Sequence, residues 1–372
     1  MDTYKDTFTL PRPSAPLHAL VVGAGIAGLT VALDLHHAGH RVTIIERVRM
    51  IAEVGAGIQM APNAARILSR LGLLDEVMQN ANVLEKNSLR IYRDDEELGA
   101  APLMPGMAAH HNAKDICQPT GHAAYRIMIP KDRMQGDQRA LRLLGQNVGM
   151  RWMGPGGHIM AYPIKNNTVY NMVLVHPQEG VANEESWTRK GDKKQMKEFY
   201  SEWNDLIRSL LSYAPDGEIM EWTLNSHFPL PTWIENRVVL MGDACHPMLP
   251  YVAQGAAQAI EDAGVLACVL SLTEDIDSAL AVYERVRKER AEKIQKSAAV
   301  TRKALHLPDG EEQRKRDEAI RGPGKNPDLW ADHDWQDFMW GTDVMKETVD
   351  NFEDLVARSH GYHPHALNAV AY

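Results

Sequence analysis

Residues 18–46, HALVVGAGIAGLTVALDLHHAGHRVTIIE, decide how the chain begins to fold. Leu20, Val21 and Val22 form a short apolar run of the kind expected of a buried parallel strand. Gly23, Gly25 and Gly28 follow as G-x-G-x-x-G where that strand turns into a helix. Gly23 permits the tight turn, Gly25 lets a pyrophosphate approach the backbone, and Gly28 lets the helix pack closely on the strand. The helix N-terminus offers unpaired N–H groups and a positive dipole end. Leu29, Ala32 and Leu33 continue the apolar stripe, and Gly39 ends the helix. Val42 to Ile45 form a second strand that stops at Glu46, 18 residues after Gly28. An acid there accepts hydrogen bonds from ribose hydroxyls and disfavours a 2′-phosphate, because two negative charges would meet. The glycine turn alone would suit any α/β domain. Strand, helix and acid together point to a site for the ADP half of a dinucleotide.

The 372 residues suffice for two domains or one large one. A net charge of −9 gives no sign of a nucleic-acid partner. Cys117, Cys245 and Cys268 show neither metal-ligand spacing nor an even disulfide framework, which favours a reducing, cytoplasmic setting. The first residues lack the apolar core of a secretory signal, and no run of 18 apolar residues suggests a membrane span.

Residues 237–264, RVVLMGDACHPMLPYVAQGAAQAIEDAG, form a second informative stretch. Val238 to Met241 reads as a short buried strand running into Gly242 and Asp243. A carboxylate there would stand at the carboxyl edge of a sheet, where open α/β folds bind ligands, or would simply cap a turn. Gly255 opens a small-residue helix whose N-terminus aims at the same edge. His246, next to a proline, reads as a packed loop histidine rather than a base.

Between these stretches, Gly55 and Gly57 suit a turn or a close backbone approach, and Pro62 suits the first turn of a helix. Residues 100–121 read as a breaker-rich loop, with His110 and His111 solvated rather than metal-bound. AYRIMIP alternates, placing Tyr125, Ile127 and Ile129 on one face and Arg126 and Met128 on the other. RWMGPGGHIMAYP and YNMVLVH read as further strands. One amphipathic helix is expected over 195–212, with Phe199, Trp203, Leu206 and Leu210 inward. The charged helix over 278–306 reads as a solvated face, since acids interleave with its bases. Trp330, Trp335, Phe338 and Trp340 are the apolar positions available to a C-terminal cap.

Five stretches in this order carry a resemblance: VVGAGIAGLTVALDLHHAGHRVTIIER, EVGAGIQMAPNAARIL, AYRIMIP, MGPGGHIMAYPI and RVVLMGDACHPMLPYVAQGAAQAIEDAG. The chain resembles FAD-dependent flavoprotein monooxygenases of the aromatic-hydroxylase type, especially the fungal salicylate-hydroxylase-like ones, over most of residues 18–306. The resemblance implies an α/β fold: a Rossmann-like FAD-binding domain of glutathione-reductase type with a mixed-sheet substrate domain. It implies FAD-binding parts at 18–99 and 237–306, a substrate domain at 123–236, a lead-in at 1–17 and a helical cap or tail at 307–372. Gly23, Gly25 and Gly28 would cradle the FAD pyrophosphate and Glu46 the adenosine ribose. Gly57, Gly255 and Ala256 would lie near the flavin, and Asp243 by the ribityl-pyrophosphate. Arg126 and Tyr162 would bind an aromatic, often phenolic, substrate. NADPH or NADH would be the transient reductant, since no second nucleotide fingerprint occurs, and no metal is implied.

The chain also departs from the family. Members carry, between the equivalents of Gly99 and Ala123, an arginine helix that touches FAD and a strand ending in Ala-Asp-Gly. Residues 100–122 match neither, so the resemblance implies two absent strands, open sheet edges and uncovered apolar surface. Two other readings stand beside the monooxygenase: a folded, catalytically silent remnant, and a nicotinamide-dependent dehydrogenase using the first motif alone.

Overall fold

The chain's computed structural model describes residues 6–49, 59–103, 118–178, 188–217 and 219–359. The opening motif folds as β1 (His18–Val22), α1 (Ile26–Ala38) and β2 (Arg41–Ile45), with β1 and β2 parallel and His18 opposite Arg41. Gly39 closes α1 in the left-handed conformation, its N–H bonding the carbonyls of Leu35 and His36. Among the described residues no further strand pairs with β1 or β2. The burial expected for this unit is therefore only half met. Leu20 is 61% and Val22 81% exposed, because a parallel strand is buried only where neighbours and crossovers cover both faces.

The chain then passes through α2 (Pro62–Arg70) and α3 (Leu74–Gln79) into a mixed sheet. Its strands are β3 (Lys86–Ile91), β4 (Glu97–Pro102), β5 (Gln118–Pro130), β6 (Val148–Gly154), β7 (Gly157–Ile164), β8 (Val169–Pro177), β9 (Thr188–Lys190) and β10 (Met220–Ser226). They lie in the order β4–β3–β6–β7–β8–β5–β10–β9. Strand alternation sorts its two faces. Tyr125, Ile127, Ile129, Trp152, Ile159, Tyr170, Met172 and Leu174 point to one core, covered by α4 (Gln138–Gly145), α5 (Lys193–Phe199) and α6 (Asp205–Ser212). Arg126, Arg151, His158, Met160, Tyr162, Val173 and Val175 face the other way, into a cavity. The single helix expected over 195–212 is two, because the Asn204 side chain accepts from the Ile207 N–H and starts α6 afresh.

Beyond the sheet, β11 (Ile234–Glu235) and β12 (Val238–Val239) form a short antiparallel pair. The buried strand expected at Val238 to Met241 is thus two residues long, with Val238 65% exposed. The long helices α7 (Gly255–Leu272) and α8 (Ile276–Leu305) fill the space behind it. α7 is apolar and long enough to cross a membrane, yet 78% of it is buried against the rest of the chain. The charged run of α8 is not wholly solvated. Arg287 is fully buried, donating to Asp262, Glu261 and Gln258, and Arg290 grips Glu261 and the carbonyls of Phe338 and Met339. These bonds help satisfy the buried carboxylates of α7, whose pKa values lie below normal although burial raises them: Arg287 and Arg290 lower Glu261, and His246 and Arg287 lower Asp262. Trp330 and Trp340 pack into the core as a C-terminal cover.

Candidate active site

Two helix N-termini converge on one cavity. α1 begins at Gly25 and α7 at Gln254, and neither has a side-chain cap bond or an acid in its first turn. Their orphan N–H groups are left for an electron-rich ligand. Ile26 and Ala27 of α1, and Gly255, Ala256 and Ala259 of α7, line the cavity together with Asp243. Gly242 shows how tightly the two motifs meet. Its φ is +59°, and a Cβ there would lie 3.0 Å from the Ala27 Cβ and 3.3 Å from the Ala259 Cβ. The Gly242 N–H is held by Asp262, which also takes His246 Nε2 at 2.6 Å. His246 is accordingly a packed residue of the network and does not line the cavity.

The first turn makes a cradle that only glycine permits. Gly23 has φ +101°, and a Cβ on Gly28 would come within 2.0 Å of the Gly23 carbonyl oxygen. The Glu46 carboxylate braces this turn, accepting from the Ala24 N–H at 2.7 Å and the Val48 N–H at 2.8 Å. Those bonds hold its pKa below the usual carboxylate range and occupy two of its roughly four lone-pair positions, leaving others for ribose hydroxyls. Gly23, Gly25, Gly28 and Glu46 do not themselves line the cavity; they continue from its Ile26–Ala27 end, with Glu46 exposed. Gly57, like Gly55, lies outside the described residues.

The sheet supplies the opposite wall. Arg126 on β5 and Tyr162 on β7 both line the cavity, with Val173 of β8 between their strands. The Arg126 guanidinium lies 4.9 Å from the Trp222 ring centre. Burial pulls Arg126 down from its ordinary pKa and pushes Tyr162 up to about 12, so near neutrality the arginine stays cationic and the phenol protonated. The cavity has a volume of about 210 Å³ and opens to solvent at its mouth.

Sequence reasoning missed two wall residues. His158 stands four positions before Tyr162 on β7, so the period-2 pattern that placed Tyr162 also places His158 on its face. Arg151 on β6 lines the same wall, fully buried, its Nη1 2.6 Å from Asp328 and its plane over Trp330. Nothing in the sequence announced Asp328, since its partner is 177 residues away.

A flavin nucleotide fits this donor set: a cradle closed to any Cβ, two uncapped helix N-termini and an acid beyond the glycine turn. One cavity served by both glycine turns sets aside a dehydrogenase built on the first alone. Comparison with known proteins agrees. The family described as "FAD binding domain" matches residues 17–136 and 137–298. The FAD-dependent monooxygenase atnJ of Arthrinium sp is 33% identical, over 86% of this chain and 93% of its own. That alignment runs over 394 positions although this chain has 372 residues, so it opens gaps in this chain. The 3-hydroxybenzoate 6-hydroxylase 1 of Aquipseudomonas alcaligenes is 28% identical, over 90% of this chain and 99% of its own. A crystal structure of CtdE with FAD and substrate shares the fold, with a TM-score of 0.77 at 19% identity over 93% of this chain and 100% of that one. The chain belongs to the FAD binding domain family, as an FAD-dependent monooxygenase of the aromatic-hydroxylase type.

Proposed function

We propose that the protein hydroxylates a phenolic or related aromatic small molecule with O2 and NAD(P)H, in the cytoplasm, as a step of fungal secondary metabolism. The observation that carries this reading is the composition of one cavity: two helix N-termini on one wall, Arg126, Tyr162 and His158 on the other. When bound, FAD supplies the redox chemistry, taking electrons from the nicotinamide and activating O2. In this reading Gly23, Gly25 and Gly28 hold its pyrophosphate, Glu46 its ribose and Asp243 the ribityl side, while Gly255 and Ala256 offer N–H groups to the ring; Gly57 is assigned beside them by resemblance. Residues 18–99 and 237–306 thus serve the nucleotide and 123–236 the substrate, although β3 and β4 hydrogen-bond into the substrate sheet.

The protein's own share is orientation and charge. Arg126 favours the ionised phenol, whose ring is more electron-rich, and Tyr162, being protonated, donates a hydrogen bond to its oxygen. His158, held neutral by burial and by the cationic Arg151 nearby, is the group on this wall able to accept the phenolic proton. Arg126→Ala should cut turnover roughly 10²-fold with the flavin retained. NADPH oxidation with a panel of hydroxybenzoates, read beside the flavin spectrum, tests this; unchanged turnover discards the assignment. A catalytically silent protein is the second reading, favoured by the bare faces of β1 and β2. Stoichiometric flavin after purification, with substrate-stimulated O2 uptake, rejects it.

A further inference from the structure

A single loop borders two cavities. Met248 and Pro250 line the active cavity, whereas Leu249 between them lines an outer groove of about 280 Å³. Gln295 of α8 fixes this loop, its Nε2 donating to the Pro247 carbonyl at 2.9 Å. Three further parts of the chain complete the groove: Thr120 on β5, the residues from Ser226 at the end of β10 to Phe228, and Ala299 and Arg302 on α8.

Two of these side chains lack the partners that their chemistry calls for. Phe228 is 72% exposed, and no other Phe, Tyr or Trp among the described residues is exposed. Its ring keeps in water an apolar surface that burial would favour. Arg302 is half-buried and pairs with no carboxylate among the described residues; its Nη1 makes one long hydrogen bond, 3.4 Å to the Thr120 carbonyl. An arginine in the last turn of a helix can serve the helix's own carbonyls, but this one reaches across to β5. The neighbouring His122 supplies no second cation near neutrality, because burial and the Arg302 charge lower its pKa. The His227 ring donates from Nδ1 to the Phe228 carbonyl at 2.7 Å.

One unpaired guanidinium beside an open aromatic face suits a ligand with one anionic group and one flat apolar body. The guanidinium fork matches a carboxylate through two parallel hydrogen bonds. Phe228, Leu249 and Ala299 offer apolar surface to a ring. Size agrees: a cavity of about 150 Å³ holds benzene, and the groove exceeds that by enough for a carboxylate. We propose that this groove is a second binding site, separate from the active cavity, for an aromatic monocarboxylate. The site stands apart from the catalytic wall and does not depend on the roles of Arg126 and Tyr162.

The test uses the full chain and 4-fluorobenzoate, followed by fluorine NMR. Arg126→Ala removes the cation of the active cavity, so saturable binding in that variant reports the groove. In that background Arg302→Gln should weaken binding about tenfold or more, and Phe228→Ser about threefold or more, with the urea midpoint as the check on folding. 4-Fluorotoluene, which lacks the carboxylate, and inorganic phosphate, which lacks the ring, should each bind about tenfold more weakly than 4-fluorobenzoate. Undiminished affinity in folded Arg302→Gln overturns the site. If that variant fails to fold, undiminished affinity in Phe228→Ser, changed at an exposed position, overturns it instead. Phosphate that competes as well as 4-fluorobenzoate overturns the aromatic ligand, and so does the absence of saturable binding by the Arg126→Ala protein below about 10 mM.

Discussion

Two sheets of this molecule, the mixed sheet and the β1–β2 pair, are made from similar residues and live under opposite conditions. In the mixed sheet, Leu174, Tyr170 and Trp152 are wholly buried, with helices on one side and the cavity on the other. In the parallel pair of β1 and β2, Leu20, Val22, Ile44 and Ile45 are 40–81% exposed. The sequence of β1 is as apolar as that of a central strand, yet among the described residues it has a single neighbour. Apolar character is thus no measure of burial: strand neighbours are. What holds the nucleotide-binding turn in position is instead the packing of α1 on α7 and the ionic network beneath α7.

The largest effect should come from that network. Arg287→Met removes the guanidinium partner of the buried Asp262 and one of the two on Glu261, and should cost about 3–5 kcal/mol in urea unfolding, loosening the α1–α7 contact and FAD retention together. A loss below 1 kcal/mol would mean that something else locks the nucleotide side. Next, Leu174→Ala in the mixed sheet should cost roughly 2–5 kcal/mol.

Asp34 gives a pH-dependent version of the comparison. It is buried in α1, and burial raises its pKa from 3.8 to about 7. The folded state therefore favours the protonated carboxyl. The unfolded chain ionises near pH 4 and the folded chain near pH 7, so stability falls as pH rises across that window, and the full penalty stands above it. Asp34→Asn should leave the melting temperature unchanged below pH 4 and stabilise by about 1–3 kcal/mol above pH 7. The same gain at both pH values would show that desolvation of the charge is not its source.

Leu20→Ala should have the smallest effect, within about 0.5 kcal/mol, because the side chain is mostly in water. A cost near that of Leu174→Ala would show that the face of β1 is covered in solution, and the contrast between the sheets would collapse.

Much was legible in the chain alone, because local backbone requirements write themselves into residue type. The G-x-G-x-x-G turn, the acid at Glu46, the alternation that puts Arg126 opposite Tyr125, and the helix after Gly255 are each set within a few residues by φ, hydrogen bonding or a period of two. Three-dimensional packing decided the rest. Glu46 spends two lone pairs on its own turn, the cations of α8 turn inward to Asp262 and Glu261, and Val238 emerges into solvent. Arg151 meets Asp328, and Thr120, Phe228 and Arg302 gather about one outer groove. Those outcomes depend on partners tens to hundreds of residues away, and a side chain carries no record of a distant partner until the chain closes upon it.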